Sequence, residues 1–359
     1  MTLSINRRDF VLGTAATSAL ALAGRRGFAA EPLKIGFVYV GPVGDFGWTH
    51  GHDQGRKAIE KALGGEVKTT FVESVSEGPD AERVIRQLAS GGNKLIFTTS
   101  FGFMNSTVRV AKQFPDVKFE HATGYMTAPN LSVYNARFYE GRAICGTIAG
   151  HMTKSGIIGY VGSFPIPEVV MGINAVALAA RKVRPDIKVK VIWVNSWYDP
   201  GKESDAAKAL IDQGVDIMSQ HTDSPAPLQT AETRGIYGFG QASNMKAYAP
   251  KAQLTAILDV WGGYYVQRAK DVIDGTWKSQ SIWWGLKEGM VQMAPYGDAV
   301  PDNVRKAADA VRDGIIAGTS HPFAGPIKNQ AGEVKVADGQ TISDGDLQKM
   351  DWYVEGVEA

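Results

Sequence analysis

The sequence has a single cysteine, Cys145, among its 359 residues, and its formal net charge is only +1. A disulfide bond within the chain is therefore excluded, as is a zinc site built on paired thiolates. Cys145 lies in an apolar segment with helical character, so we expect a buried, unreactive thiol. The near-zero net charge gives no electrostatic reason to expect nucleic acid as a partner.

Signatures of catalysis are also missing. The sequence has no G-x-S-x-G, no H-E-x-x-H and no glycine spacing typical of nucleotide phosphate binding. His50 and His52 could ligate a metal if their segment were extended, but no third ligand is nearby, and hydrogen-bonded or solvated roles are favoured. His121, His151 and His321 are isolated and are expected to be structural. We therefore predict no metal, no cofactor and no enzymatic activity.

Residues 1–30 have the composition of an export signal. Arg7 and Arg8 precede a short, weakly hydrophobic stretch at 12–24 and a small-residue segment, GFAA, at 27–30. This order is typical of a twin-arginine signal peptide. A helical N-terminal arm is the alternative, although the apolar run is too short to span a bilayer and has no amphipathic period. No cysteine follows the run to carry a lipid anchor, so for a bacterial source we expect an unanchored, soluble mature chain in the periplasm.

The rest of the chain alternates between short apolar segments and segments with helical periodicity. This alternation predicts an α/β fold with doubly wound parallel sheets. The series restarts near Ser155, which predicts two similar lobes facing each other across a cleft. We assign residues 31–153 plus about 256–285 to the N-terminal lobe, and 154–255 plus about 286–359 to the C-terminal lobe, with several crossovers forming a hinge. Segments 281–286 and 290–294 are expected to pair as strands about the turn at 287–289.

Aromatic residues follow several predicted strands in both lobes, namely Trp48, Phe101, Phe103, Trp197, Tyr198 and Trp261. Packing between elements is the alternative role for each of them. Two aromatic faces from opposite lobes would clamp a flat ring, and each stacking contact contributes about 1 to 3 kcal/mol. Asp223 also follows a predicted strand, where it serves either as a turn residue before Pro225 or as an acceptor for a ligand donor.

Several short segments carry a family resemblance. They are DFGWT at 45–49, YEG at 139–141, NSWYDPGK at 195–202, HTD at 221–223 and GFGQ at 238–241. They resemble the motifs D-x-x-F-N, E-G-x-x-x-G, G-S-F-x-D-P-x-K, A-x-G and G-x-D of the basic membrane protein (BMP) family. This family comprises ABC-transporter substrate-binding proteins, including purine nucleoside receptors with the periplasmic binding protein type I fold. The resemblance covers about residues 33–295.

The resemblance implies a role for particular residues of this chain. Trp48 and Trp197 take the positions of the two stacking aromatic residues, and Thr49 takes that of an asparagine that hydrogen-bonds the purine. Family receptors use an acidic residue to bind the ribose hydroxyls, and this chain has Gly240 at that position. The lysine that the family has shortly after the next strand is also absent here, where the chain has Asp259 nearby. The site that we predict comprises Asp45, Trp48, Thr49, Phe101, Phe103, Trp197, Tyr198, Asp223, Gln241 and Trp261.

Both departures fall on the sugar side, so we expect a purine-type nucleobase as ligand. Adenine is preferred, because Asp223 could accept from an exocyclic amine. The alternative is that the protein is a receptor for a purine nucleoside. The expected partners are this small molecule and the permease subunits of an ABC importer, with the protein itself a monomer. An exported cofactor-dependent enzyme and a sensory module without a transporter are alternatives of other classes.

Overall fold

The computed structural model describes residues 31–359, so the expected export signal lies outside the described residues. Two parallel sheets dominate the described part of the chain, and each has helices on both faces. In this part no helix combines the length and apolar character that crossing a membrane requires.

The first sheet has six strands in the order β11-β5-β4-β3-β1-β2, all parallel to their neighbours. Its strands are β1 (Leu33–Val38), β2 (Val67–Val72), β3 (Leu95–Thr98), β4 (Lys118–Ala122), β5 (Leu131–Ala136) and β11 (Ser281–Trp284). Its helices are α1 (Gly47–Leu63), α2 (Pro79–Ser90), α3 (Met104–Gln113) and α8 (Gly262–Ile273), with 3-10 turns at Gly64–Glu66 and Phe101–Phe103. This is the first lobe.

The second sheet has seven strands in the order β12-β10-β9-β8-β6-β7-β15, and only the pair of β12 with β10 is antiparallel within it. Its strands are β6 (Ile157–Gly162), β7 (Lys188–Trp193), β8 (Ile217–His221), β9 (Tyr237–Gly240), β10 (Gln253–Asp259), β12 (Val291–Met293) and β15 (Val357–Glu358). Its helices are α4 (Phe138–Met152), α5 (Pro167–Val183), α6 (Pro200–Asp212), α7 (Ala226–Thr233) and α9 (Asp302–Ile316). A hairpin of β13 (Ile327–Lys328) and β14 (Val334–Val336) and the short helix α10 (Asp344–Leu347) precede β15.

Local sequence accounts for these elements. Strand β3, LIFT, is buried throughout, as expected for a central strand covered on both faces. Helix α2 begins with a proline in its first turn, which needs no intrahelical N–H bond, and buries Val84, Ile85 and Leu88 on one face. In α4, a side chain at Gly146 or Gly150 would collide with the backbone of α5, so the small residues of this helix permit close packing.

In the structure, the chain crosses between the lobes at other points than the sequence analysis predicts. The chain leaves the first sheet after β5, returns after β10 and leaves again after β11, so that α4 and β10 belong to the second lobe. The lobe boundaries that we predict near residues 153 and 256 therefore differ from those in the structure. The reason is that α4 buries its small-residue face on α5, and that β10 pairs with β9. The expected pairing of 281–286 with 290–294 is wrong, since β11 joins β5 in one sheet and β12 joins β10 in the other.

Candidate ligand-binding site

A cavity lies between the two lobes, at the carboxyl ends of the parallel strands. The space between its walls is about 360 Å³, counted up to and including its open mouth. The lining residues from the first lobe are Val40, Trp48, Ser100, Phe101 and Thr123, and those from the second lobe are Glu168, Trp197, His221, Asp223 and Gln241. Both lobes therefore supply polar and aromatic groups to one enclosed space.

The start of α1 brings the first lobe against the second. The backbone N–H of Gly47 donates to Ser243 Oγ over 2.7 Å, and Gly47 has a positive φ of 76°. A Cβ at this position would collide with the backbone carbonyl of Asp223. Glycine is required here both for the left-handed backbone and for the close approach of the lobes.

Trp48 is held in one orientation in the first turn of α1. Its indole N–H donates to the carbonyl oxygen of Thr99 over 2.7 Å, so the ring has no free N–H for a ligand. The rings of His52 and Trp261 meet it nearly edge-on, with centroids 4.4 and 5.5 Å away. The indole thus contributes an apolar face of fixed orientation to the cavity.

Trp197 enters the cavity from the loop between β7 and α6. Its ring packs at 5.1 Å on Phe164 of its own lobe, and its indole N–H donates to Glu77 of the first lobe over 3.2 Å. The loop leads into α6, which Asp199 caps by accepting from the backbone N–H of Lys202. Trp197 is therefore placed by a capped helix start and by a contact across the cleft.

Polar groups of the second lobe complete the cavity wall. Burial, followed by the nearby carboxyls of Glu203 and Asp259, raises the pKa of Asp223 well above its usual value, while the backbone N–H of Trp48 opposes this rise. Gln241 accepts a hydrogen bond from the buried Arg142 guanidinium through its Oε1. That bond orients the amide, which leaves its amino group as the donor available to a ligand.

Glu168 and His221 form a second polar pair on this wall. Their nearest atoms, Glu168 Oε1 and His221 Nε2, are 3.4 Å apart. Burial raises the pKa of Glu168 to about 8 and lowers the pKa of His221 well below its usual value, so burial disfavours the charged form of both groups. The other ends of the pair, Glu168 Oε2 and His221 Nδ1, are buried without a hydrogen-bond partner among the described residues.

Unusual backbone conformations cluster around the cavity. Thr123, Asn195 and Ala242 have positive φ angles of 58°, 51° and 58°, a region that side chains other than glycine seldom adopt. Thr123 lines the cavity, Asn195 lies two residues before Trp197, and Ala242 follows Gln241. Such strain is typical of loops whose geometry a binding site requires.

The structure brings five of the ten predicted site residues together and leaves five outside the cavity lining. Trp48, Phe101, Trp197, Asp223 and Gln241 line the cavity. Outside it, Phe103 is buried in the first-lobe core, Trp261 is buried and stacked on His52, and Thr49 is buried with its hydroxyl accepting from Gly41. Tyr198 is exposed, and Asp45 accepts from the Tyr248 hydroxyl. For Phe103, Trp261, Thr49 and Asp45, a packing contact or a hydrogen bond accounts for this position.

Sequence reasoning missed Glu168, Val40, Ser100 and Thr123, and it noted His221 only beside Asp223. Glu168 sits in the first turn of α5, directly after the loop that follows β6, and this position was a usable signal. The histidine pair of α1 does not form a metal site, because His52 is buried against the Tyr265 hydroxyl at 2.6 Å. Between residues 31 and 359 no group of three His, Cys, Asp or Glu side chains is arranged to hold a metal.

The chain matches known proteins over most of its length. The family model for PnrA-like ABC transporter substrate-binding proteins, Bmp, matches residues 33–321. A purine-binding protein of Brucella abortus (strain 2308) is 60% identical over 343 residues, covering 96% of this chain and 98% of that protein. A protein of Haloferax volcanii, named as a candidate glucose-binding protein of an ABC transporter (TsgA13), is 36% identical over 91% of this chain and 81% of its own length.

Solved structures share the fold. A solute-binding protein of an ABC transporter system from Aeropyrum pernix K1 aligns with a TM-score of 0.70 at 18% identity, over 88% of this chain and 95% of that one. At this identity the likeness establishes the architecture of two α/β lobes, which is that of periplasmic binding proteins. The family match over residues 33–321 and the 60% identical relative show that this chain belongs to the Bmp family of PnrA-like ABC transporter substrate-binding proteins.

Proposed function

We propose that the protein captures a purine-type nucleobase, with adenine preferred, and presents it to an ABC importer. The observation that carries this proposal is the composition of the interlobe cavity. Aromatic rings from opposite lobes, Trp48 and Trp197, line the same space as the Asp223 carboxyl and the Gln241 amide. A flat heterocycle with polar edges is the ligand class that such a cavity suits. The purine-binding name of the Brucella relative supports the same class.

Each wall of the cavity would have its own role. The two indoles would stack on the ring, since neither has an indole N–H available for the ligand. Asp223 would accept from the exocyclic amine, and the amino group of Gln241 would donate to a ring nitrogen. Phe101, whose ring packs on Tyr125 with centroids 5.8 Å apart, would close the apolar side.

Space at the family's sugar-binding position favours a base over a nucleoside. A Cβ at Gly240 would come within 2.7 Å of the Ala256 Cβ and 2.8 Å of Gln253 Oε1, so the position that is acidic in family receptors is filled by neighbours. A purine nucleoside remains the alternative ligand.

Binding would require closure of the lobes. In the structure hydrogen bonds already join them, among others between Gly47 and Ser243, between Asp45 and Tyr248, and between Glu77 and Trp197. A ligand that contacts both lobes stabilises this closed form by its difference in affinity for the closed and open forms. The proposed location is the periplasm, as a soluble monomer without a lipid anchor, and no catalytic step is involved.

Thermal unfolding with and without ligands tests the proposal. The mature chain is unfolded and refolded to remove carried-over ligand, then heated with adenine, hypoxanthine, adenosine, glucose and amino acids. A ligand at a hundred times its Kd adds about 2.7 kcal/mol of stability, which appears as a rise in Tm of several degrees. A rise with bases and not with adenosine supports a base receptor. A rise with adenosine alone favours the nucleoside alternative, and a rise with glucose alone contradicts the purine proposal.

A further inference from the structure

Helix α1 begins with a residue that does not cap it. Phe46 occupies the N-cap position with an extended backbone, φ −152° and ψ 167°, and its side chain makes no capping hydrogen bond. Serine, threonine, aspartate and asparagine are preferred there, because their side chains accept from the free N–H groups of the first turn. That turn also has no acidic residue to face the positive end of the helix dipole. The N-cap residue of the first lobe therefore leaves this helix start uncapped.

The second lobe supplies the missing groups. Ser243 Oγ, from the segment between β9 and β10, accepts from the backbone N–H of Gly47 over 2.7 Å. Asp223, which follows β8, lies at the same helix end, since a Cβ on Gly47 would be 3.4 Å from the Asp223 Cβ. Burial raises the pKa of the Asp223 carboxyl, and the backbone N–H of Trp48 acts against this rise as a hydrogen-bond donor does. These groups reach α1 only when the lobes are closed.

Phe46 itself packs on the second lobe. Its ring lies on a buried apolar cluster between α7 and the segment that precedes β10, and it meets the Tyr248 ring edge-on with centroids 5.1 Å apart. The cluster comprises Leu228, Met245, Ala249 and Ala252. Beside it, the Tyr248 hydroxyl donates to the Asp45 carboxylate. The side chain at the N-cap position thus serves the contact between the lobes and not the helix that it begins.

We propose that the second lobe caps α1 when the lobes close, with Ser243 as the cap and Phe46 as the apolar anchor of the contact. Both are positioning residues, because neither is among the residues that line the cavity and both favour the closed form in which the cavity is complete. The inference goes beyond the proposed function, since it depends on closure and not on which ligand drives it. It also places Asp45, which lies outside the cavity lining, in the same contact through Tyr248.

A contact that favours closure should change the affinity for every ligand by the same factor. The apparent Kd is the intrinsic Kd of the closed form divided by the fraction of closed protein, so weakening the contact scales all Kd values together. Because the contact forms after a ligand has entered the open cleft, its loss should mainly speed dissociation. A residue that touches the ligand would instead change the ratio of the Kd values of two ligands.

Comparison of Phe46→Ser with Phe46→Ala separates the contact from the stability of the helix. Both variants remove the apolar anchor, and calorimetric titration should show adenine binding weakened about three- to thirtyfold in each. The serine can also cap α1 within the first lobe, in the open and closed forms alike. We therefore expect a higher Tm for Phe46→Ser than for Phe46→Ala without ligand, but no tighter binding. A residue that acted only by stabilising the first lobe would recover affinity together with Tm.

Ser243→Ala tests the cap itself. It should weaken adenine and hypoxanthine by one common factor of about three- to tenfold, with a faster dissociation rate and an association rate within about twofold of wild type by stopped flow. Phe46→Leu keeps an apolar anchor and should bind within about threefold of wild type. Phe71→Ala is the matched control and should change neither Kd. Phe71 is 41% exposed on the edge strand β2, and its ring contacts Tyr39 and Arg56 of its own lobe.

A distance measurement tests the contact without any ligand. Spin labels on Lys68→Cys in β2 and Asp205→Cys in α6 report the separation of the lobes, since both positions are exposed. Cys145 is buried, so it does not compete for the label. The cap and the anchor need no ligand, so we expect the free protein to populate the shorter, closed distance. Phe46→Ala should populate it less.

Several outcomes would overturn the inference. One is an unchanged Kd in both Phe46→Ala and Ser243→Ala, and another is tighter binding by Phe46→Ser than by Phe46→Ala. Unequal factors for adenine and hypoxanthine in Ser243→Ala would mean that Ser243 contacts the ligand. Binding of neither base by the wild type would refute the proposed function alone. The label distances would then decide the inference, with identical distributions in the wild type and Phe46→Ala against it and a shift to the longer distance in its favour.

Discussion

The indole N–H of Trp197 in the second lobe donates to Glu77 Oε1 in the first lobe over 3.2 Å. The same oxygen accepts from Ser100 Oγ at 2.6 Å and from the backbone N–H of Gly102 at 3.1 Å. One carboxylate at the rim of the cleft thus joins an aromatic ring of one lobe to the cavity wall of the other. Closing the lobes therefore forms a hydrogen bond that helps to hold the Trp197 ring in its orientation.

Glu77→Ala should weaken ligand binding about three- to tenfold without destabilising the fold. The carboxylate is exposed, so its hydrogen bonds contribute about 0.5 to 1.5 kcal/mol, and the bond to Trp197 exists only in the closed form. Calorimetric titration with the best ligand of the panel measures the effect. Glu77→Gln keeps an acceptor oxygen and should lose less. A Kd unchanged in Glu77→Ala would mean that this contact does not favour closure.

Trp48→Ala and Trp197→Ala should each weaken binding more than tenfold and leave the protein folded. Both rings line the cavity with their indole N–H groups already bonded to protein, so each contributes its stacking face. The Kd of each variant is compared with that of Tyr237→Ala as a control. Tyr237 is an exposed aromatic residue at the start of β9, at the opposite end of this strand from Gln241. Wild-type affinity in either tryptophan variant would remove that residue from the proposed site.

Asp223→Ala should weaken adenine binding more than hypoxanthine binding. The pKa of Asp223 is raised well above its usual value by burial and by nearby carboxyls, and in either protonation state the group keeps an oxygen that can accept from an amine. Asp223→Asn retains that acceptor and should show a smaller loss. Equal losses for the two bases, measured by the ratio of their Kd values, would contradict this role.

Replacing Arg7 and Arg8 by lysine should retain the precursor inside the cell. The twin-arginine pathway reads the arginine pair, whereas a general secretory signal needs only positive charge in that region. Fractionation of a bacterial host followed by detection of the mature and precursor forms measures the outcome. Normal export of the double variant would indicate a general secretory signal.

The sequence predicted the α/β lobes and half of the cavity lining because both follow from local pattern. Strands such as β3 are short apolar runs, and Trp48 and Trp197 follow strand ends, where sites of open sheets lie. Trp261 also follows a strand, yet it is buried against His52. Which of two similar positions faces the cleft depends on how α1 and α8 pack, and a local pattern does not contain that information.

The pairing of β11 and β12 and the role of Glu168 escaped prediction for related reasons. The two strands are separated by a short turn, which resembles a hairpin, but the chain crosses between lobes at this point and each strand joins a different sheet. Glu168 reads as an ordinary acidic residue in the first turn of a helix. Its contact with His221, 53 positions later, arises only when β6 and β8 become neighbours.

Arg268 anchors the returning helix α8 to the first sheet. Its guanidinium donates to Glu120 Oε1 of β4 at 2.6 Å and to Asp271 at 2.7 Å, and the side chains of Arg268 and Glu120 are 4% and 0% exposed. The remaining donors reach Ser132 Oγ and the carbonyl of Lys278. Burial is the largest influence on Glu120 and raises the pKa of its carboxyl, which Arg268 opposes.

Arg268→Ala should therefore lower the free energy of unfolding by about 3 to 5 kcal/mol, because it leaves the Glu120 carboxylate buried without its counter-charge. Urea denaturation measures this loss against Arg83→Ala, which breaks an ion pair with Asp80 whose side chains are 58% and 46% exposed and should cost less than about 1 kcal/mol. Equal losses for the two variants would contradict the role of Arg268 as a buried anchor. Arg268→Ala combined with Glu120→Gln should recover part of the stability, since the unpaired charge is then removed.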